Sequence, residues 1–90
     1  MKNIIEIKVG SRYKKSFRRL SLRIQKEALQ KINIFRVNPF DLRLKTHSLS
    51  GKSKDCLAFW ITYSYRVKFI FLSKREVLFL DVGTHRIYKR

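Results

Sequence analysis

The chain carries two imidazoles, His47 and His85, and with Arg66 and Tyr88 they are the side chains whose types fit a reaction. An imidazole titrates near pKa ~6.5, so it can take or give a proton around neutrality. A guanidinium grips a phosphate through two parallel N–H donors. Two proton carriers and one phosphate clamp fit the metal-free cleavage of RNA. That reaction needs a base for the 2′-hydroxyl proton, an acid for the departing 5′-oxygen and a cation against the phosphorane charge. His47 is read as the base and His85 as the acid, and the two roles can be exchanged because a sequence carries no distances. Tyr88 and Trp60 are aromatic groups that can stack on unpaired bases.

Each residue also has a plainer reading. A histidine at a strand end is commonly a surface residue, Arg66 can pair with Asp81, and Trp60 and Tyr88 can serve as packing residues. Lys14, Lys15, Arg18 and Arg19 can be a solvated helix face, although such a face also suits a phosphate backbone. Cys56 reads as a small buried hydrophobe. As the only cysteine, it has no partner for a disulfide or for a zinc motif. Neither a metal site nor a cofactor is expected.

These side chains must be held by a small scaffold. The 90 residues fit one domain over residues 1–90. Ile5, Ile7 and Val9 alternate with Glu6 and Lys8, the period of a half-buried strand over Asn3–Val9. Gly10 and Ser11 break it and start a helix whose Tyr13, Phe17 and Leu20 recur at i, i+4 and i+7. Ser21 caps a second helix with an apolar stripe of Leu22, Ile24, Ala28, Leu29, Ile32 and Phe35, and Asn38-Pro39 ends it.

From Leu42 the period changes to two. A short polar run over Leu44–Leu49 precedes strands over Cys56–Tyr63, Tyr65–Leu72 and Glu76–Thr84, with Leu78, Leu80 and Val82 pointing to the core and Phe79, Asp81 and Gly83 away from it. The loops at 50–55 and 73–75 predict an antiparallel meander. The expected fold is α+β with order βααβββ, two N-terminal helices covering one face of a small, mainly antiparallel sheet. The other face stays open and displays Trp60, Arg66, Lys68 and Asp81. Strand parity carried past Gly83 brings His85 to the edge of that face.

Composition sets the partner class. A formal charge of +16 with 44% apolar and 13% aromatic residues describes a chain that folds around a core and seeks a polyanion. The longest aliphatic and aromatic run, Phe69–Leu72, is far shorter than a bilayer span. The N-terminus lacks the continuous apolar stretch of a secretory signal, so no membrane association and a cytoplasmic location are expected.

Three stretches, LKTHSLSGK at 44–52, YR at 65–66 and DVGTHRIY at 81–88, together with the βααβββ order, resemble the RelE/ParE toxin superfamily, nearest its RelE/StbE and YafQ-like branch. The likeness spans essentially the whole chain, and GTH near the C-terminus combined with the earlier H-x-L-x-G is its most specific part. The resemblance implies a RelE-like fold and the toxin of a type II toxin-antitoxin pair, a ribosome-dependent mRNA endonuclease acting in the A site and leaving a 2′,3′-cyclic phosphate. By position, His47 matches the family histidine before L-x-G, Arg66 the strand arginine on the scissile phosphate and His85 the C-terminal catalytic histidine. Tyr88 corresponds loosely to the terminal aromatic. Lys45, Lys52, Lys54, Trp60, Lys68, Arg86, Lys89 and Arg90 are the expected RNA contacts.

The chain departs from the family pattern at Phe59, Ile61 and Tyr65, where YafQ-like toxins carry histidines and acids, and at Ala58 and Trp60, where RelE carries lysines. Tyr88 follows His85 by three residues rather than four. A ParE-like inhibitor of DNA gyrase and a non-toxic basic RNA-binding module are the alternatives. Either toxin reading implies a cognate antitoxin with an acidic contact surface, in a hetero-oligomer.

Overall fold

The computed structural model describes residues 4–51 and 55–89, the side chain of Lys89 excepted. Strand β1 (Glu6–Val9) leads into helix α1 (Ser11–Arg18), helix α2 (Leu22–Val37), a 3-10 turn (Leu42–Leu44) and a two-residue strand β2 (His47–Ser48). Strands β3 (Leu57–Trp60), β4 (Arg66–Ser73) and β5 (Glu76–Gly83) follow, and a 3-10 helix over His85–Lys89 closes the described chain. The sheet order is β1-β5-β4-β3-β2, antiparallel except where β1 runs parallel to β5. The α+β architecture and the helices-on-sheet layering match the sequence expectation.

Local chemistry accounts for the helix ends. Ser21 Oγ accepts from the Ile24 backbone N–H at 3.3 Å, filling one donor that a helix start leaves unmet. α2 stops at Val37, one residue before the Asn38-Pro39 pair, where proline excludes helical geometry. Its inner stripe is Ile24, Ala28, Ile32 and Phe35, all buried. Leu22 and Leu29, expected on that stripe, are exposed, because at 3.6 residues per turn they share a flank about 100° round the helix from Ala28.

Phe35 is the keystone of the core. Its ring lies 4.8 Å from Phe59 on β3, 5.0 Å from Phe69 on β4 and 5.5 Å from Phe79 on β5, so one helical side chain ties the three central strands together. Tyr13 adds α1 by lying 5.2 Å from Phe79. β3 is shorter than expected. It ends at Trp60 because the Ile61 and Thr62 N–H groups both turn back to the Tyr65 carbonyl, and Lys31 Nζ holds the Ile61 carbonyl at 2.7 Å.

The facing of β5 is the main correction. Phe69 pairs with Phe79 but Lys68 pairs with Asp81, so Leu80 is an extra residue that shifts the register. One inserted residue reverses which side chains face the core. Val77 and Phe79 are therefore buried before the bulge and Val82 after it, whereas Leu78 and Leu80 are only partly buried. Asp81 and Gly83 stay on the second face as expected.

That second face is not open along its length. The terminal 3-10 helix folds back over it, burying Ile87. The Ile87 carbonyl accepts from Lys68 Nζ at 3.4 Å. Gly83 makes the fit possible, since a Cβ there would stand 3.0 Å from Ile87 Cγ2. Lys68 is buried beneath it, and Arg66 and Asp81 are buried as well. His85 lies in this 3-10 helix and not on a continued strand.

Candidate active site

The short β2 strand puts His47 opposite Ala58 on β3, and β3 in turn sets Trp60 opposite Arg66 on β4. Arg66 faces Gly83 across the β4–β5 ladder, next to the turn into the C-terminal 3-10 helix. Three strands and one terminal turn thus bring distant residues to one end of the sheet.

Tyr88 joins the two histidines. Its hydroxyl lies 3.3 Å from His47 Nε2, and its ring centroid is 6.1 Å from that of His47 and 5.5 Å from that of His85, edge-on to both. His47 Nδ1 sits 2.9 Å from the Lys45 carbonyl. A carbonyl only accepts, so in the neutral ring Nδ1 carries the proton and Nε2 keeps its lone pair. The Tyr88 hydroxyl then donates to Nε2. Partial burial pushes the Tyr88 hydroxyl above its ordinary pKa while the nearby Arg66 charge opposes that rise, so the phenol stays protonated at neutral pH.

Lys45 sets up this arrangement through its backbone. Its φ of 54° is left-handed, a region that few side chains adopt. There it closes the 3-10 turn, with its N–H bonded to the Leu42 carbonyl, and its own carbonyl is turned toward His47. Both histidines are exposed, where solvent and a ligand can reach them.

Arg66 is only 4% exposed. Its guanidinium carbon stands 4.0 Å from the centroid of the Trp60 ring, a cation–π stack. Its Nε is buried with no hydrogen-bond partner. A buried guanidinium N–H left unmet is costly, so any acceptor brought to it gains that cost back. Arg66 does not pair with Asp81 in the ladder, where Asp81 opposes Lys68. Ser16 Oγ donates to Asp81 Oδ1 at 2.7 Å, and the Val82 N–H donates to the same atom at 2.9 Å.

The structure therefore gathers His47, Arg66, His85, Tyr88 and Trp60. Trp60 offers one ring face fewer than expected, because the guanidinium occupies the other. Lys68 is a correction among the expected RNA contacts, since it is buried beneath the terminal 3-10 helix and bonded to the Ile87 carbonyl. Lys45 and Arg86 are exposed. Lys52, Lys54 and Arg90, and the side chain of Lys89, lie outside the described residues. Among the described residues no group of three His, Cys, Asp or Glu stands close enough to hold a metal ion, and no helix is long and apolar enough to cross a membrane.

No family model matches the sequence and no curated protein sequence does; solved structures do match. The YoeB/ParE toxin from Agrobacterium tumefaciens superposes with a TM-score of 0.75 at 15% identity, covering 90% of this chain and 99% of that one. The RelE chain has the same fold. In the archaeal RelE–RelB complex from Pyrococcus horikoshii, a chain aligns with a TM-score of 0.72 at 15% identity over 90% of this chain and 94% of its own. A chain of the DinJ–YafQ toxin-antitoxin complex from Escherichia coli aligns with a TM-score of 0.64 at 18% identity, over 92% of this chain and 94% of its own. This RelE-like fold, read from the sequence as a resemblance, is the fold of the molecule. At these identities the likeness establishes architecture, and the chemistry has to be argued from the side chains.

Proposed function

We propose that this protein is the toxin of a type II toxin-antitoxin pair and acts as a ribosome-dependent mRNA endonuclease. The observation that carries the reading is the convergence of His47, Tyr88 and His85 beside Arg66, whose buried Nε has no partner. A scissile phosphate bound against Arg66 supplies the missing acceptor and sits where an imidazole can reach it. His47 Nε2 is the basic nitrogen, so His47 takes the proton of the 2′-hydroxyl. The 2′-oxygen attacks phosphorus, His85 protonates the leaving 5′-oxygen, and a 2′,3′-cyclic phosphate results. Arg66 offsets the charge of the phosphorane. Tyr88 holds the His47 ring in register and releases Nε2 when the substrate hydroxyl replaces it.

The partners follow from the same reading. RelE–RelB and DinJ–YafQ complexes among the similar structures support a cognate antitoxin for this chain. A charge of +16 favours an acidic contact surface and fast, salt-sensitive association. Messenger RNA on the ribosome is the proposed substrate.

The test adds purified protein to a translating cell-free reaction and to the same message without ribosomes, with ends mapped by primer extension. Cuts confined to the translating reaction, and lost in His85→Ala, are the expected result. Intact message in both reactions overturns the nuclease reading. Inhibited supercoiling in a parallel gyrase assay would then favour the ParE-like alternative.

A further inference from the structure

Three surface cavities run together along α1. The first, about 600 Å³, lies where Ser11 and Arg12 meet Lys68 and Leu80. Ser11 and Arg12 also line the second, about 460 Å³, together with Lys15, Ser16 and Arg19. Ser16 and Arg19 line the third, about 430 Å³, which reaches Thr84 and Arg86. Shared walls make these one trough, and it ends at the two residues that flank His85.

Its charge is one-sided. Arg12, Lys15, Arg19 and Arg86 stand exposed along it, and none of them has an ion pair among the described residues. The one carboxylate in its walls, Asp81, already accepts from Ser16 and from the Val82 N–H. Arg12, Lys15 and Arg19 recur at i, i+3 and i+7, so a cation appears roughly every 4.5 to 6 Å along the helix axis at 1.5 Å per residue. Like charges at such spacings weaken a helix, and a bound polyanion removes that penalty.

We infer that this trough binds the phosphodiester backbone of the RNA strand flanking the cut, conducting it from the His85 turn along α1. The chemistry favours a nucleic acid over a peptide. A docking helix needs apolar anchors at i, i+3, i+4 and i+7; Leu20, Tyr65, Val82 and Ile87 offer such walls only in the third cavity, whereas the middle one is lined by Ser11, Arg12, Lys15, Ser16 and Arg19 alone. Evenly spaced cations with hydroxyls between them match a single strand bound through its backbone. The inference rests on RNA being the substrate and assigns it a second, non-catalytic contact.

The experiment measures fluorescence anisotropy of a short 2′-O-methyl RNA, which cannot be cut, across a KCl series. Wild type is compared with Arg12→Gln/Lys15→Gln/Arg19→Gln and with the equal-charge control Arg23→Gln/Lys26→Gln/Arg36→Gln on α2. Circular dichroism checks that each is folded. The trough variant is expected to lose roughly tenfold in affinity and to flatten the slope of log K against log salt by about 2, from ~0.7 per phosphate contact. The α2 control keeps the wild-type slope. Equal losses in the two triple variants, or an unchanged slope in the trough variant, overturn the inference. A trough variant that keeps RNA affinity while losing a poly-glutamate peptide overturns it in favour of an acidic protein. Failure of the cleavage reading looks different: wild type then binds RNA through the trough yet leaves translated message intact.

Discussion

Tyr88 and His85 are adjacent partners with separable roles, and their variants should differ. Removing a positioned acid costs ~10² to 10⁴-fold, so His85→Ala should abolish most cleavage in the translating reaction. Tyr88→Phe keeps the edge-on ring contacts and deletes only the hydroxyl that donates to His47 Nε2. It should lower cleavage by about tenfold, the worth of one neutral hydrogen bond, and leave thermal stability within about 1 kcal/mol. A Tyr88→Phe variant as dead as His85→Ala would place the phenol in the reaction itself. Tyr13 gives a second residue-scale prediction. Burial pushes its hydroxyl up to about 12 from an ordinary 10.0. The folded pKa is raised, so stability is full below pH 10 and falls as pH climbs toward 12, where the unfolded chain ionises first. The loss amounts to about 2 to 3 kcal/mol. Chemical denaturation at pH 9 and pH 12 checks this, and Tyr13→Phe should flatten the difference.

Elements matter here through two irregularities. The bulge at Leu80 lets β5 bury Phe79 under the helices while presenting Asp81 and Gly83 to the other face. Gly83 then leaves room for Ile87, which anchors the 3-10 helix carrying His85 and Tyr88. A methyl at position 83 pushes on Ile87 Cγ2, so Gly83→Ala should displace that helix. Cleavage should drop at least about tenfold, since a shift of about 1 Å in catalytic geometry costs up to ~10²-fold. Full activity in Gly83→Ala would show that the turn tolerates the shift.

At the scale of the molecule, stability is concentrated and charge is spread. Phe35 is fully buried against three strands, so Phe35→Ala should cost about 3 to 5 kcal/mol. That is a large share of the 5 to 15 kcal/mol expected for the whole fold, and loss of a cooperative thermal transition at 37 °C is the expected readout. The charge of +16 repels itself. Added polyanion or moderate salt should therefore raise the melting temperature, and calorimetry at two ionic strengths checks it. A melting temperature that falls with salt would mean that ion pairs such as Lys8 with Glu76, 2.9 Å apart, outweigh the repulsion.

Fold class, the limits of α2 and the side-chain types of the candidate site were legible in the sequence because each depends on local chemistry. Period three-and-a-half against period two separates helix from strand, Ser21 caps one helix start, Asn38-Pro39 stops that helix, and imidazole and guanidinium are the types that the proposed reaction needs. The facing of β5 was not legible, because a single inserted residue at Leu80 leaves the alternation of apolar types looking regular while reversing its meaning. The burial of Lys68 and the exposure of Leu22 and Leu29 depend on what packs above them, which local pattern does not encode. The approach of His47 to Tyr88, the unmet Nε of Arg66 and the trough along α1 are relations between residues far apart in the chain. They exist only once the sheet has closed and the C-terminal turn has folded back over it, and so the tertiary structure alone decided them.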